Sequence, residues 1–341
     1  MKISIIIPSY NNENTIKRVL EGLLNQNFQN NFEIIVVDDN STDNTVNIIK
    51  SFNKIKLITK EKNYGLAHSL NLGLDNANGN FIGFLHGDCI PHKSWLKQSI
   101  KIFENHKKVG AVVAPSYVPI EIWQNYDYYS KIFLLKQTTK YNKKRVVESK
   151  NKIIKKLGGI KSTIFRKEIF KEIGPFNSKK YRAAGEDGDT LLKILNTNWR
   201  IMRIKFPSKH LHGVNKKSIK GFLKSVARTS EANGVLLRTY KRRRIKNLNN
   251  KNLLAPFIIT IIYCLNLIIP LINLFINSFI LSIISICFLI IFLSNLIFYT
   301  IKIGLVFLDR RILTLPFIKF IKDIYFIYGF WRGFIMNNQR I

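Results

Sequence analysis

The sequence predicts an α/β domain built on a mostly parallel sheet, followed by a C-terminal transmembrane helical hairpin and an interfacial helix. Three observations carry that expectation. From Ile3 to Leu85, apolar runs of strand length alternate with segments of helical period. From Leu253 to Ile301 there are 49 residues without a charged side chain. The 341-residue chain carries 54 Lys plus Arg against 21 Asp plus Glu, a net charge of +33. An excess of that size implies an anionic partner: nucleic acid, an acidic membrane surface or a phosphorylated substrate.

The elements follow in order. Ile3 to Ile7 is a β-branched run closed by Pro8, a first strand. Glu13 to Leu24 places Ile16, Val19, Leu20, Leu23 and Leu24 at helical spacing. Phe32 to Val37 is a second buried strand, ending in the turn and cap formers Asp38 to Asp43. Thr45 to Phe52 continues as a helix, Ile55 to Thr59 as a strand, and Leu66 to Asn76 as a helix. Phe81 to Leu85 is the fourth strand, and β-α alternation of this kind predicts right-handed crossovers. Neither G-x-G-x-x-G nor the P-loop pattern occurs, so a nucleotide must be held by other means. The three cysteines form no framework and read as free thiols in a reducing compartment. Met1 leads directly into an apolar strand, without the basic start and apolar core of a secretory signal.

The fourth strand stops at His86-Gly87-Asp88, and the carboxyl end of a parallel strand is where ligands bind in an open α/β sheet. A carboxylate there suits magnesium or manganese against a diphosphate; the plain alternative is a polar turn. The flanking motifs decide between them. IIIPSYNNENTI, EIIVVDDNSTDNT, KNYGLAHSLNLGL and ANGNFIGFLHGD, in that order, resemble the family 2 glycosyltransferases, whose fold is the A-type nucleotide-sugar-binding fold. The resemblance covers Lys2 to His212. It implies that Pro8, Tyr10 and Glu13 line the base and ribose, that Asp39 contacts the base or ribose, and that Asn63 and Gly65 shape the turn beside the nucleotide. The family's metal motif is D-x-D. Here His86 replaces the first Asp, and Asp88 is retained as the metal or diphosphate contact, with His86 as a further ligand or as a hydrogen-bonded strand-end residue.

Further on, Gly158-Gly159, Phe165-Arg166, Ile173-Gly174-Pro175-Phe176 and Glu186-Asp187 resemble the same family. By that resemblance Asp187 is the base that takes the acceptor hydroxyl proton, and Glu186 positions acceptor or sugar. Read alone, the two acids stabilise a helix start. His212 or His210 completes the metal site by the same resemblance. Lys216 to Tyr240 reads as a basic helix, with Arg228 and Arg238 available to a departing diphosphate. Lys131 to Lys161 holds eleven basic residues and one acid, Glu148, which suits anionic lipid headgroups or a phosphorylated acceptor. No nucleic-acid motif accompanies the charge.

A spanning helix needs about 20 apolar residues, so the uncharged run has room for two, at Leu254 to Ile276 and Phe279 to Ile301, with Asn277-Ser278 as the tip. Basic residues flank both ends, which predicts a multi-pass membrane protein with a cytoplasmic catalytic domain. The expected organisation is a glycosyltransferase domain over 1–240, a basic juxtamembrane linker over 241–252, two spans over 253–302 and an amphipathic interfacial tail over 303–341. The expected activity moves a sugar from a nucleotide-diphosphate donor to a lipid-linked or glycan acceptor, inverting and dependent on Mg or Mn. Anionic membrane lipids are the further partner. The alternatives are a polyprenyl-phosphate sugar synthase and a non-catalytic nucleotide-sugar or anion-binding membrane protein.

Overall fold

The computed structural model describes residues 2–128, 131, 152–153, 159–181, 184–211, 219–240, 251–307 and 314–335. Two compact units result, the first within residues 1–217 and the second made of 218–243 and 250–337, each with a short added segment or gap outside the described residues. Most of the basic segment Lys131 to Lys161 lies outside the described residues.

In the first unit the alternation is β1 (Ile3–Ser9), α1 (Ile16–Leu24), β2 (Phe32–Asp38), α2 (Thr45–Lys50), β3 (Ile55–Thr59), α3 (Leu66–Asp75) and β4 (Phe81–Leu85). Then come β5 (Cys89–Ile90), α4 (Trp95–Asn105), β6 (Val109–Val113), β7 (Ser116–Tyr117), α5 (Ile120–Gln124) and β8 (Lys152–Ile153). The unit closes with β9 (Ser162–Arg166), α6 (Ile169–Ile173), α7 (Glu186–Leu195), β10 (Arg200–Arg203) and β11 (Ser208–His210). The large sheet runs β3-β2-β1-β4-β9-β6-β10-β8, and a small sheet runs β5-β11-β7. β1 pairs in parallel with β2 and β4, β2 with β3, and β6 with β10. β9 is antiparallel to both β4 and β6.

Both faces of β1 are covered, which is why its apolar run is continuous rather than alternating. Ile3, Ile5 and Ile7 pack with Ile16, Val19, Leu20 and Leu23 of α1 and with Trp95 and Phe103 of α4. Ile6 faces the other way, into the core of Ala67, Leu70 and Leu74 of α3 with Ile169, Leu191 and Ile194. The expected helix over Glu13 to Leu24 begins three residues later, at Ile16. The Asn12 and Glu13 backbone N–H groups donate instead to Thr45 Oγ1 and Asp43 Oδ2, tying the loop after β1 to the loop after β2.

The second unit contains α8 (Ile219–Thr239), α9 (Lys251–Ile276), α10 (Phe279–Phe307) and α11 (Leu315–Ile335). Ile258–Ile276 and Phe279–Phe298 are each long and apolar enough to cross a membrane. Leu274 is 78% exposed, Phe275 90% and Phe279 80%, a surface that water does not favour. They turn at Asn277, whose positive φ of 48° is the left-handed conformation that asparagine tolerates. The Ser278 N–H caps the turn by donating to Asn273 Oδ1.

The expected boundary at 240 differs from the structure, which groups Ile219–Thr239 with the C-terminal helices. The cause is small-residue packing. A Cβ on Gly333 of α11 would collide with the Glu231 carbonyl oxygen, and one on Gly329 with that of Ala227. Backbones this close are reached only where side chains are absent. Ser230 Oγ donates to the Phe326 carbonyl at 2.6 Å, and Arg332 pairs with Glu231 at 3.5 Å. Gly333→Leu should therefore pry α11 from α8 and destabilise the full chain by at least about 1–3 kcal/mol. Thermal unfolding in detergent checks this, with Phe317→Leu, an exposed apolar exchange on the same helix, expected to leave the midpoint unmoved.

Candidate active site

The carboxyl ends of β1, β2 and β4 meet at one edge of the sheet, where the neighbours of β1 diverge to either side. Pro8 is buried in β1, and Tyr10 just beyond it is 47% exposed. Asn12 Oδ1 accepts from Ser9 Oγ at 3.0 Å and from the Tyr10 N–H at 3.1 Å. Thr15 Oγ1 donates to the Gly87 carbonyl at 2.7 Å, so the loop after β1 is fastened to the loop after β4. Glu13 bridges loops as well, its Oε2 accepting from the Asn44 N–H at 3.0 Å.

Asp39 is buried, and its carboxylate organises the turn after β3. It accepts from the Tyr64 and Gly65 N–H groups, both at 2.8 Å, and pairs with Lys60 at 2.5 Å. Gly65 has φ of 91°, which favours glycine at this position, and Asn63 stands one residue before Tyr64 in the same turn. Lys60 also donates to Ser69 Oγ at 2.8 Å, which fixes its buried ammonium. Tyr64 stacks on His68 at 4.7 Å, with Lys62 5.1 Å from the Tyr64 ring. Lys60 carries no signal in the sequence; a lysine in a polar turn reads as solvated until the fold buries it.

A second corner forms after β4. β11 pairs antiparallel with β5, setting His210 opposite Cys89, and the Leu211 N–H donates to the Asp88 carbonyl at 2.7 Å. That register brings His210 Nε2 to 3.1 Å from Asp88 Oδ2, while Cys89 Sγ lies 3.5 Å from Asp88 Oδ1. Ligand atoms of Asp88, Cys89 and His210 all fall within 4.8 Å of one another. Burial alone would raise the Asp88 carboxyl, but the charge and hydrogen bond of His210, with His86 and Lys161, hold it far below the usual carboxylate range. Burial, with Asp88 opposing and Lys161 and His210 adding, presses His86 down to about 4, a neutral imidazole at pH 7. Its Nε2 is buried without a hydrogen-bond partner among the described residues. Burial and Asp88 push the Cys89 thiol up. An ionised carboxylate beside imidazole nitrogens is a donor set that fits a divalent cation. Of the two histidines expected to complete this corner, His210 is placed in it, and His212 lies outside the described residues.

The third group opens α7. Gly185, at φ of 106°, starts the helix, and Glu186 and Asp187 stand in its first turn. Glu186 is buried, and a Cβ on Gly159 would approach Asp187 Oδ2 to 3.1 Å, so the expected glycine turn leaves room for this carboxylate. Burial raises the Asp187 carboxyl, opposed by Lys161, the Ile160 N–H and a hydrogen bond with Glu186. Burial and the charge of Asp187 raise Glu186. Glu186 Oε2 and Asp187 Oδ1 are buried without a hydrogen-bond partner among the described residues.

Lys161 links the two corners. Its carbonyl accepts from the His86 N–H at 3.0 Å because β9 begins beside the end of β4, where Leu85 pairs with Ser162. Its charge acts on Asp88, Glu186 and Asp187 alike. Only the antiparallel register of β9 singles this lysine out from the basic run. Arg228 belongs to α8 in the second unit, where its charge, with that of Arg332, acts on Glu231. Arg238 donates to the carbonyls of Phe334 and Ile335 in that unit.

This assembly of strand ends, metal-type corner and helix-opening acid pair defines the class. The family model described as glycosyl transferase family 2 matches residues 4–174 of the 341. The chain belongs to that family. It is 37% identical over 113 residues to the dolichyl N-acetyl-alpha-D-glucosaminyl phosphate 3-beta-D-2,3-diacetamido-2,3-dideoxy-beta-D-glucuronosyltransferase of Methanococcus voltae, covering 31% of this chain and 35% of that one. It is 37% identical over 130 residues to the UDP-Glc:alpha-D-GlcNAc-diphosphoundecaprenol beta-1,3-glucosyltransferase WfgD of Escherichia coli, covering 33% of this chain and 51% of that one. The chain thus spans between a third and about half of the length of these curated relatives. The mannosyltransferase PcManGT from Pyrobaculum calidifontis, solved with GDP-Man and Mn2+, superposes with a TM-score of 0.60 at 17% identity, over 98% of this chain and 87% of that one. That likeness shows the fold, the A-type glycosyltransferase fold with its mostly parallel sheet.

Proposed function

We propose that the chain is a membrane-anchored enzyme that transfers a sugar, with inversion, from a nucleotide-diphosphate donor to a lipid-linked or glycan acceptor at the cytoplasmic face. The observation that carries this is that Lys161, whose backbone is bonded to the His86 end of β4, acts on an ionised Asp88 and on the Glu186-Asp187 pair alike. Pro8, Tyr10, Glu13, Asp39, Asn63 and Gly65 shape the nucleotide side, Asp39 chiefly by fixing the turn that carries Asn63 and Gly65. Asp88 and His210 would hold a divalent cation, with His86 beside them, and the cation would supply positive charge to the leaving diphosphate. The positive charge of Lys161, which acts on Asp88, adds to it. Asp187 takes the acceptor hydroxyl proton on a carboxylate oxygen, and Glu186, raised further, keeps its own proton and holds Asp187 by a hydrogen bond.

A lipid-linked acceptor fits the relatives from Methanococcus voltae and Escherichia coli, whose names specify lipid-linked sugars. It also fits the exposed apolar helices of the second unit. The proposed order is catalytic domain, basic linker over 241–252, two spans within 253–302 and an interfacial tail. Basic residues on both sides of the spans support a cytosolic side for both ends, against anionic lipids. Arg228 and Arg238 lie on the basic helix before the linker.

The test is a panel of nucleotide sugars presented to the purified full chain in vesicles. Release of nucleotide diphosphate from one donor, with label appearing in the lipid fraction, is the expected outcome. Nucleotide-sugar binding without turnover on any donor or acceptor lipid would favour the non-catalytic alternative.

A further inference from the structure

Cys89 is the member of the Asp88 corner that the proposed transfer does not use. The strand register, rather than a chance rotamer, puts it there. Residues directly opposite in an antiparallel pair project to the same face, and β5 and β11 pair Cys89 with His210. Asp88 then spans the two, 3.5 Å from the sulfur through one oxygen and 3.1 Å from the imidazole through the other. Donors around a tetrahedral zinc, at bond lengths of about 2.0–2.3 Å, stand roughly 3.3–3.8 Å apart. The side chains of Cys89 and His210 are enclosed, whereas the Asp88 side chain remains 23% exposed and leaves an open approach. A D-x-D motif offers hard oxygens alone, but here an imidazole stands at position 86 and a sulfur follows Asp88.

We propose that Cys89 is a direct third protein ligand, so that Asp88, Cys89 and His210 form a mixed oxygen, sulfur and nitrogen site selective for a thiophilic divalent cation such as Zn2+ over Mg2+ and Mn2+. This rests on the reading of Asp88 as the cation-binding carboxylate and extends it. On binding, the metal–sulfur bond replaces the S–H bond of Cys89, whose proton leaves to water. Nitrogen and oxygen sites already prefer zinc to manganese, so the quantity that reports the sulfur is the selectivity lost when it is removed.

The test uses the full chain in detergent carrying Cys264→Ala and Cys287→Ala, which removes the other two thiols. Cobalt should give visible d–d bands and a near-ultraviolet thiolate-to-cobalt charge-transfer band. Cys89→Ala, small and apolar enough for the buried site, should abolish that band. It should lower zinc affinity by about 10–100-fold while manganese affinity changes less than about threefold. X-ray absorption of the zinc-loaded parent, which needs no substitution at the site, should show one sulfur at about 2.3 Å. Cobalt d–d bands without the charge-transfer band, or zinc with nitrogen and oxygen neighbours alone, would overturn the sulfur ligand and leave the Asp88 reading standing. Spectra of bound metal that Asp88→Ala leaves unchanged would overturn both.

Discussion

Asp187→Asn should lower turnover by roughly 10²–10⁴-fold when the acceptor is a neutral hydroxyl, while nucleotide affinity stays near that of the parent. The substitution keeps the size of the side chain and most of its hydrogen bonding but cannot accept a proton. The proposed nucleotide side is built on Asp39 and the loops after β1 and β3, through bonds that do not involve Asp187. Calorimetry with the nucleotide beside turnover measurements checks both halves. Because burial raises the Asp187 carboxyl, the rate of the parent should rise with pH through a range above that of an ordinary carboxylate. Asp187→Asn should flatten that limb. Stability moves the other way. A carboxyl raised in the folded state holds its proton more tightly there than in the unfolded chain, so ionising it costs stability as pH rises from the ordinary carboxylate value past the raised one. The asparagine variant should escape that loss, gaining on the parent at neutral pH and matching it in acid. Near-normal turnover would reject the base assignment and point to an acceptor that is already anionic, such as a polyprenyl phosphate.

How far the site was legible follows from how local each signal is. β1, β2, β3 and β4 were readable from apolar run lengths and turn residues, because strands buried on both faces need little beyond a continuous apolar run. The places of His86, Asp88 and the Glu186-Asp187 pair at element ends were readable from those runs, whereas the roles expected of them came only from the resemblance of the flanking motifs. Lys60, Lys161 and the choice of His210 were not readable as site members. Each is placed by a pairing between segments distant in sequence: Asp39 with the turn after β3, β4 with β9, and β5 with β11. The uncharged hairpin was plain from composition, whereas the docking of α11 on α8 depends on Gly329 and Gly333 meeting carbonyls about a hundred residues upstream. Pattern alone does not distinguish a glycine needed for such an approach from one in a loose helix.

Asp88→Ala should abolish detectable transfer, a loss of at least the roughly 10²–10³-fold expected when one preorganised electrostatic contact to a developing charge is removed. The charge and hydrogen bond of His210, with His86 and Lys161 adding, keep this carboxylate ionised. Alanine leaves Lys161 without that counter-charge. The variant should therefore retain metal-independent attraction for a diphosphate through Lys161 while losing the increment that added Mn2+ gives the parent. Nucleotide-diphosphate titrations with and without the metal separate these two parts. The stability difference has a sign as well. A carboxyl held below its unfolded value contributes stability that is present above the ordinary carboxylate range and lost as pH falls through the folded value. The parent should then exceed Asp88→Ala most at neutral pH, with the gap closing in strong acid. Turnover in Asp88→Ala equal to the parent with Mn2+ present would remove Asp88 from the donor site and leave the acid pair with Lys161 as the whole of the catalytic apparatus.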